Sequence, residues 1–282
     1  MITPFLQDDA LLENIRNTDN DSDHFYLWWL GQSGFLIKWK GQHLLIDPYL
    51  SDSLTRKYAE TDKPHLRMTV RTVDPSLLDF IDIATSSHNH TDHLDSDTMR
   101  PLISANPKIK LLIPEANREF VCERLHCKAE FPVGLNVGES ITIKNFTFYG
   151  LPAAHNKLDI DQLGRSLFMG YVIEFGPWKI YHSGDTLWYD GMEQLIGPFK
   201  VDVAILPING NKPERRVAGN LDHEETPRLA QAIGARLVIP CHYDMFTFNT
   251  ADPAAFVRSA EKLQQPYRVL QCGEPWNSDQ LP

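Results

Sequence analysis

Ser87-His88-Asn89-His90-Thr91-Asp92-His93-Leu94-Asp95 sets three imidazoles and a carboxylate within six positions. Ile81-Asp82-Ile83-Ala84-Thr85, just before it, alternates in polarity and ends in small residues, as a half-buried strand does at its tip. In an extended segment residues two apart point the same way, so His88 and His90 are expected to close on one ion. Asp92 and His93 fall where the chain must turn and are free to face a second ion. Ser96 and Asp97 are suited to start a helix over residues 98–103. A polar loop with surface histidines is the ordinary alternative, but the mixture of imidazole and carboxylate after an apolar strand suits a borderline divalent metal.

Working outward, 282 residues with 42% hydrophobic and 23% charged content suit a globular chain able to bury a large core. A formal net charge of −10 opposes general binding to nucleic acid or an anionic membrane, both of which demand a basic surface. The four cysteines, Cys122, Cys127, Cys241 and Cys272, form no C-x-x-C pair and read as reduced thiols. Neither a signal-peptide pattern nor an apolar run of bilayer length is visible, so the expected location is cytoplasmic. Self-association into a homo-oligomer is left open.

Residues 1–23 read as an acidic lead-in with a short helix at 10–15 and a turn-rich run at 17–23. Residues 24–282 read as one domain. Strands are expected at 25–30, 35–40 and 43–47, broken by Gly31-Gln32-Ser33-Gly34 and Gly41, which implies antiparallel hairpins. Asp47, at the end of the third, is either a partner for a metal-binding histidine or a plain turn residue. Residues 51–78 lack a period and read as a long loop with room for one short helix. Strand at 109–114, helix at 115–125 and a strand pair at 140–148 then give an α/β alternation. The second half repeats it, with a hairpin at 169–175 and 178–182, strands at 201–206 and 237–240, and helices at 224–233 and 254–263.

A two-metal site needs more ligands than one loop supplies, and strand ends downstream offer them. His155, Asp185 and His242 each stand just past an apolar run. His88-x-His90-x-Asp92-His93, together with His155, Ser183-Gly184-Asp185-Thr186 and Pro240-Cys241-His242, resembles the metallo-β-lactamase superfamily from Trp28 onward. Within it, Trp28-Trp29-Leu30-Gly31, Tyr181-His182-Ser183-Gly184-Asp185 and His242-Tyr243-Asp244-Met245-Phe246 resemble the L-ascorbate-6-phosphate lactonase group, whereas Ala154-His155-Asn156 looks closer to N-acyl-phosphatidylethanolamine phospholipase D. The superfamily resemblance implies a four-layer αββα sandwich of two similar halves. It also implies two divalent ions, zinc, manganese or iron, with His88, His90 and His155 on one, Asp92, His93 and His242 on the other, and Asp185 bridging.

Two such ions lower the pKa of a shared water, and Asp92 is the candidate to orient that water and shuttle its proton. The expected activity is hydrolysis of a small anionic ester or lactone, such as a phosphorylated sugar lactone. A phosphodiesterase of the phospholipase D type and a non-catalytic metal-binding regulator are the alternatives. Lys212, Arg215 and Arg216, in a loop leaving a strand end, are candidate anion contacts, and His223 at a helix start a weaker one. His182 divides evenly between a satisfied structural role and one supporting the site. His24, His43, His65 and His126 read as ordinary.

Overall fold

The computed structural model describes residues 1–21 and 23–282; residue 22, within the lead-in expected at 17–23, lies outside the described residues. The first half runs α1 (Asp8–Asn17), β1 (Tyr26–Gly31), β2 (Gly34–Trp39), β3 (Gln42–Ile46), α2 (Ser53–Lys57), β4 (Ile83–Thr85), α3 (Ser96–Ala105), β5 (Lys110–Pro114), α4 (Arg118–Leu125) and β6 (Pro132–Leu135). The second runs β7 (Ser140–Ile143), β8 (Phe146–Pro152), β9 (Met169–Phe175), β10 (Trp178–His182), α5 (Met192–Ile196), β11 (Val203–Pro207), α6 (Glu225–Ala232), β12 (Leu237–Cys241), α7 (Pro253–Leu263) and β13 (Pro275–Asn277).

Each half follows the same grammar. β1, β2 and β3 form an antiparallel meander, onto which β4, β5 and β6 add in parallel. β7 to β10 repeat the meander, and β11 and β12 add in parallel. The result is a seven-stranded and a six-stranded sheet. β13 crosses back to pair with β1, tying the end of the chain to the first sheet.

Period-two alternation sorts the side chains into layers. Leu27 and Trp29 of β1 join Phe148, Tyr171 and Ile173 in the core between the sheets. Trp28 and Leu30 point the other way, into a second core with Leu11 and Ile15 of α1, Met99 and Leu102 of α3, and Val121 of α4. Leu229 of α6 and Phe256 of α7 extend the first core over the far face of the second sheet. This is the metallo-β-lactamase fold, an α/β arrangement of two sheets flanked by helices.

Three short elements escape periodicity: β6, α5 and β13. β6 carries Pro132 and Gly134, and β13 begins at Pro275; both are edge strands, where a missing N–H costs no ladder bond. The expected helix at 115–125 opens with a 3₁₀ turn, Glu115–Asn117, before becoming α-helical at Arg118. The helix after the histidine-rich stretch is capped one residue earlier than expected, by Asp95, whose side chain accepts from the Asp97 N–H.

Candidate metal centre

Parallel strands share a carboxyl edge, and the loops leaving that edge carry the chemistry. β3 delivers Asp47, β4 the stretch after Thr85, β8 His155, β10 Asp185 and β12 His242. Beyond β4 the backbone bends and turns, so His88 and His90 are not neighbours along an extended run. They come together in this bend, and a tight turn follows it in which the His93 and Leu94 N–H groups donate to the His90 carbonyl at 3.1 and 2.8 Å. The His88 and His90 ring centroids stand 4.6 Å apart.

The seven residues expected as ligands converge in two groups. His88, His90 and His155 form one, and Asp92, His93, Asp185 and His242 the other, with donor atoms inside each group within 4.8 Å of one another. The Asp185 carboxylate lies between them: Oδ1 is 2.7 Å from His242 Nε2 and 3.2 Å from His93 Nε2, while Oδ2 is 3.5 Å from His155 Nε2.

The far nitrogens of these rings are held from behind. His93 Nδ1 is 2.7 Å from Asp47 Oδ2, His88 Nδ1 is 3.0 Å from Ser87 Oγ, and His155 Nδ1 donates to the Gly219 carbonyl at 2.8 Å. Asp47 is fully buried, and its Oδ1 also accepts from Thr85 Oγ1 and the Ser87 N–H at 2.9 and 3.0 Å. Of its two sequence readings, the partner of a site histidine is the one this geometry matches. Gln32, at the β1–β2 hairpin tip, had no role in the sequence reading. Its Nε2 is 2.8 Å from Asp92 Oδ2 and 3.1 Å from His242 Nδ1, so one amide ties two site residues together. A polar amide set between Gly31 and Ser33-Gly34 at a strand end was the available signal.

With the Nδ1 atoms so engaged, His88 Nε2, His93 Nε2, His242 Nε2 and Asp185 Oδ1 are buried without a well-formed hydrogen bond among the described residues. Buried polar atoms left this way are costly, and here they gather around the Asp185 carboxylate. Burial pushes the His88 imidazole well below its ordinary range, and the neighbouring His93 and His90 push it further. Burial disfavours charge on His93 too, but Asp185, Asp92 and Asp47 overcome it and hold that ring well above its usual value. Burial would raise Asp185, yet His242 and His93 keep it well below the usual carboxylate range. The neutral His88 ring and the ionised Asp185 carboxylate are forms that bind a divalent metal, whereas His93, whose proton is held by its carboxylate neighbours, would release that proton on binding; as a set of imidazole and carboxylate donors the residues fit such ions.

His182 is satisfied on both nitrogens: Nε2 donates to the Ser33 carbonyl at 3.0 Å and Nδ1 accepts from the Gly184 N–H at 3.2 Å. It braces the turn that presents Asp185.

The candidate substrate contacts separate. The cleft over the two groups, about 510 Å³, is lined by Arg216 with Lys57, Lys63 and Arg124, and also by His65 and Phe246. Lys212, Arg215 and His223 line a different cavity of about 590 Å³. The three candidate cations of this loop are therefore divided between two cavities. Arg215 turns inward, donating to the Asn209 carbonyl at 2.6 Å, Asn249 Oδ1 at 2.8 Å and the Thr250 carbonyl at 3.1 Å. Arg216 follows in a left-handed conformation that sends its side chain the other way, to pair with Asp62. His223 stands in that second cavity as well, its Nδ1 3.5 Å from Ser259 Oγ. Among the described residues no helix is long and apolar enough to cross a membrane.

A family model described as Beta-lactamase superfamily domain matches residues 26–242. A protein of Methanosarcina mazei named UPF0173 metal-dependent hydrolase is 28% identical over 252 residues, spanning 87% of this chain and 95% of the relative. Two solved structures share the fold. The metallo-β-lactamase fold protein YhfI from Bacillus subtilis has a TM-score of 0.66 at 18% identity, over 91% of this chain and 100% of that one. An isothiocyanate hydrolase from Delia radicum gut bacteria has a TM-score of 0.70 at 20% identity, over 89% and 98%.

Proposed function

This chain belongs to the Beta-lactamase superfamily domain family and is a metal-dependent hydrolase; on that premise we propose that it acts on a small anionic ester or lactone, of which a phosphorylated sugar lactone is the type. The observation that carries the site assignment is the Asp185 carboxylate, set between His155 on one side and His93 and His242 on the other. On this reading His88, His90 and His155 would hold one divalent ion and Asp92, His93 and His242 a second, with Asp185 available to both; zinc, manganese and iron all suit these donors. When bound, such ions make water nucleophilic near neutral pH and polarise the attacked oxygen.

The chain's own contribution is orientation. Gln32 fixes one oxygen of Asp92, which leaves the carboxylate positioned to take up a proton from the attacking water. Asp47 fixes His93. The cations around the cleft, with Arg216 as the anchor retained from the sequence reading, supply the field that favours a negatively charged substrate.

Support for a lactone comes from the resemblance to the L-ascorbate-6-phosphate lactonase group, and much of that resemblance lies in packing. Trp29 stacks on Tyr243 with ring centroids 4.3 Å apart, and Trp28 and Tyr181 are buried. Of the three stretches, Asp185 and Phe246 line the cleft.

The test is elemental analysis of protein purified without added metal, then a substrate panel with the metal found. Two ions per chain and turnover of anionic lactones are expected. Turnover of bis(p-nitrophenyl) phosphate with none of any lactone would instead assign a phosphodiesterase.

A further inference from the structure

His65 belongs to no sequence motif, yet it lines the same cleft as His90, Asp92, His155 and Asp185. Its ring is locked in place. Tyr58 packs against it at 4.4 Å between centroids, Phe248 at 5.1 Å and Phe246 at 5.4 Å. The backbone beneath is pinned by Thr55 Oγ1 donating to the His65 carbonyl at 2.7 Å and by the Thr247 N–H donating to the Leu66 carbonyl at 2.9 Å. Nδ1 lies 2.7 Å from the Lys63 carbonyl. A carbonyl only accepts, so Nδ1 carries a hydrogen, which settles the tautomer from geometry. Nε2 is then the remaining lone pair, and among the described residues no protein group hydrogen-bonds to it.

We infer that His65 Nε2 contacts the substrate as a hydrogen-bond acceptor, so the cleft selects molecules that present a hydroxyl or amide N–H there. This deepens the proposed reading and rests on it for the cleft being the substrate site. Burial lowers the affinity of His65 for a proton, and although the Lys63 carbonyl and the Asp92 charge oppose it, the net shift is downward. The ring is accordingly neutral at pH 7 and its Nε2 accepts. A carboxylate or a phosphate dianion has no hydrogen to offer such an atom, so His65 and the cations recognise different parts of one substrate. The substrate class is a hydroxylated or N–H-bearing anion.

The experiment uses metal-loaded protein and a pair of γ-lactones differing only in one hydroxyl against hydrogen. H65F keeps the ring and its stacking and removes both nitrogens; H65Q restores a side-chain acceptor. Wild type is expected to favour the hydroxylated member about tenfold in kcat/KM, the scale of one hydrogen bond whose acceptor is otherwise left unpaired. H65F should lose that preference, with the larger loss on the hydroxylated member, and H65Q should recover part of it. Equal loss on both lactones in H65F, or a preference that survives it, overturns the inference. Calorimetric binding of the same pair supplies the second readout. A hydroxyl preference in binding with no turnover fails the lactone reading and leaves the role of His65 standing. Binding without preference, or no binding of either, overturns it.

Discussion

The two cavities of this molecule are of similar size and both mix cations with carboxylates, yet their charges are employed differently. In the cavity lined by Ile208, Asp222, Asp252 and their neighbours, Asp222 and Asp252 hold backbone. Asp222 Oδ1 accepts from the Glu224 and Glu225 N–H groups at 2.8 and 2.9 Å, and Asp252 caps α7 through the Ala254 N–H at 2.9 Å. Arg215 there spends its guanidinium on carbonyl and amide oxygens. In the cleft the contrast is Asp185, set among three imidazoles with its Oδ1 buried and without a well-formed hydrogen bond, while the cations Arg124 and Arg216 beside it are paired. The lesson is that a carboxylate marks a site only when its functional atom is not already consumed by the fold.

The comparison can be broken most directly at Asp185. D185N keeps the shape and removes the charge between the two groups of imidazoles. Metal content should fall below two ions per chain by elemental analysis, with a loss of activity beyond the 10–100-fold scale of an outer partner. Full metal content and rate would erase the distinction between the cavities. D47N comes next. It touches no cleft atom, but it unseats His93, and a chelator competition should show metal affinity lowered by about 10–100-fold.

The adjacent pair Arg215 and Arg216 sharpens the contrast within two residues. R216A should raise KM for an anionic substrate about five- to tenfold at unchanged kcat. R215A should leave KM alone and lower Tm by a few degrees, since it removes three part-buried hydrogen bonds, each worth about 0.5–1.5 kcal/mol. K212A should change neither.

The smallest expected effect lies away from both cavities, at His43. Burial, with Lys38 and Lys144, lowers its pKa from 6.5 to about 4 against the pull of Asp82. The folded state thus prefers the neutral ring. Its contribution to stability is present above pH 6.5 and is lost as pH falls from there through about 4. H43Q should flatten the decline in Tm between pH 7 and 5 without altering metal content.

Much of the fold was legible because it rests on local signals. Alternating runs such as 169–175 and 178–182, joined by Gly176-Pro177, specify a hairpin whatever surrounds them. β6 and β13 were not legible because edge strands tolerate the residues that break central ones. In the site, the ligand candidates were visible as imidazoles and carboxylates at strand ends. Gln32 and His65 were not, because an amide and a lone histidine acquire meaning only from what stands opposite them.

By itself the sequence determined the chemistry on offer: a donor set of imidazoles and carboxylates, the order in which strands would present it, and the family to which it belongs. Tertiary structure alone decided which nitrogen of a ring is held from behind, that Asp47 holds His93, and that Arg216 lines the cleft while Arg215 turns away from it. The physical reason is that residue type fixes what an atom can bind, whereas its neighbours from distant strands fix whether that capacity is still free.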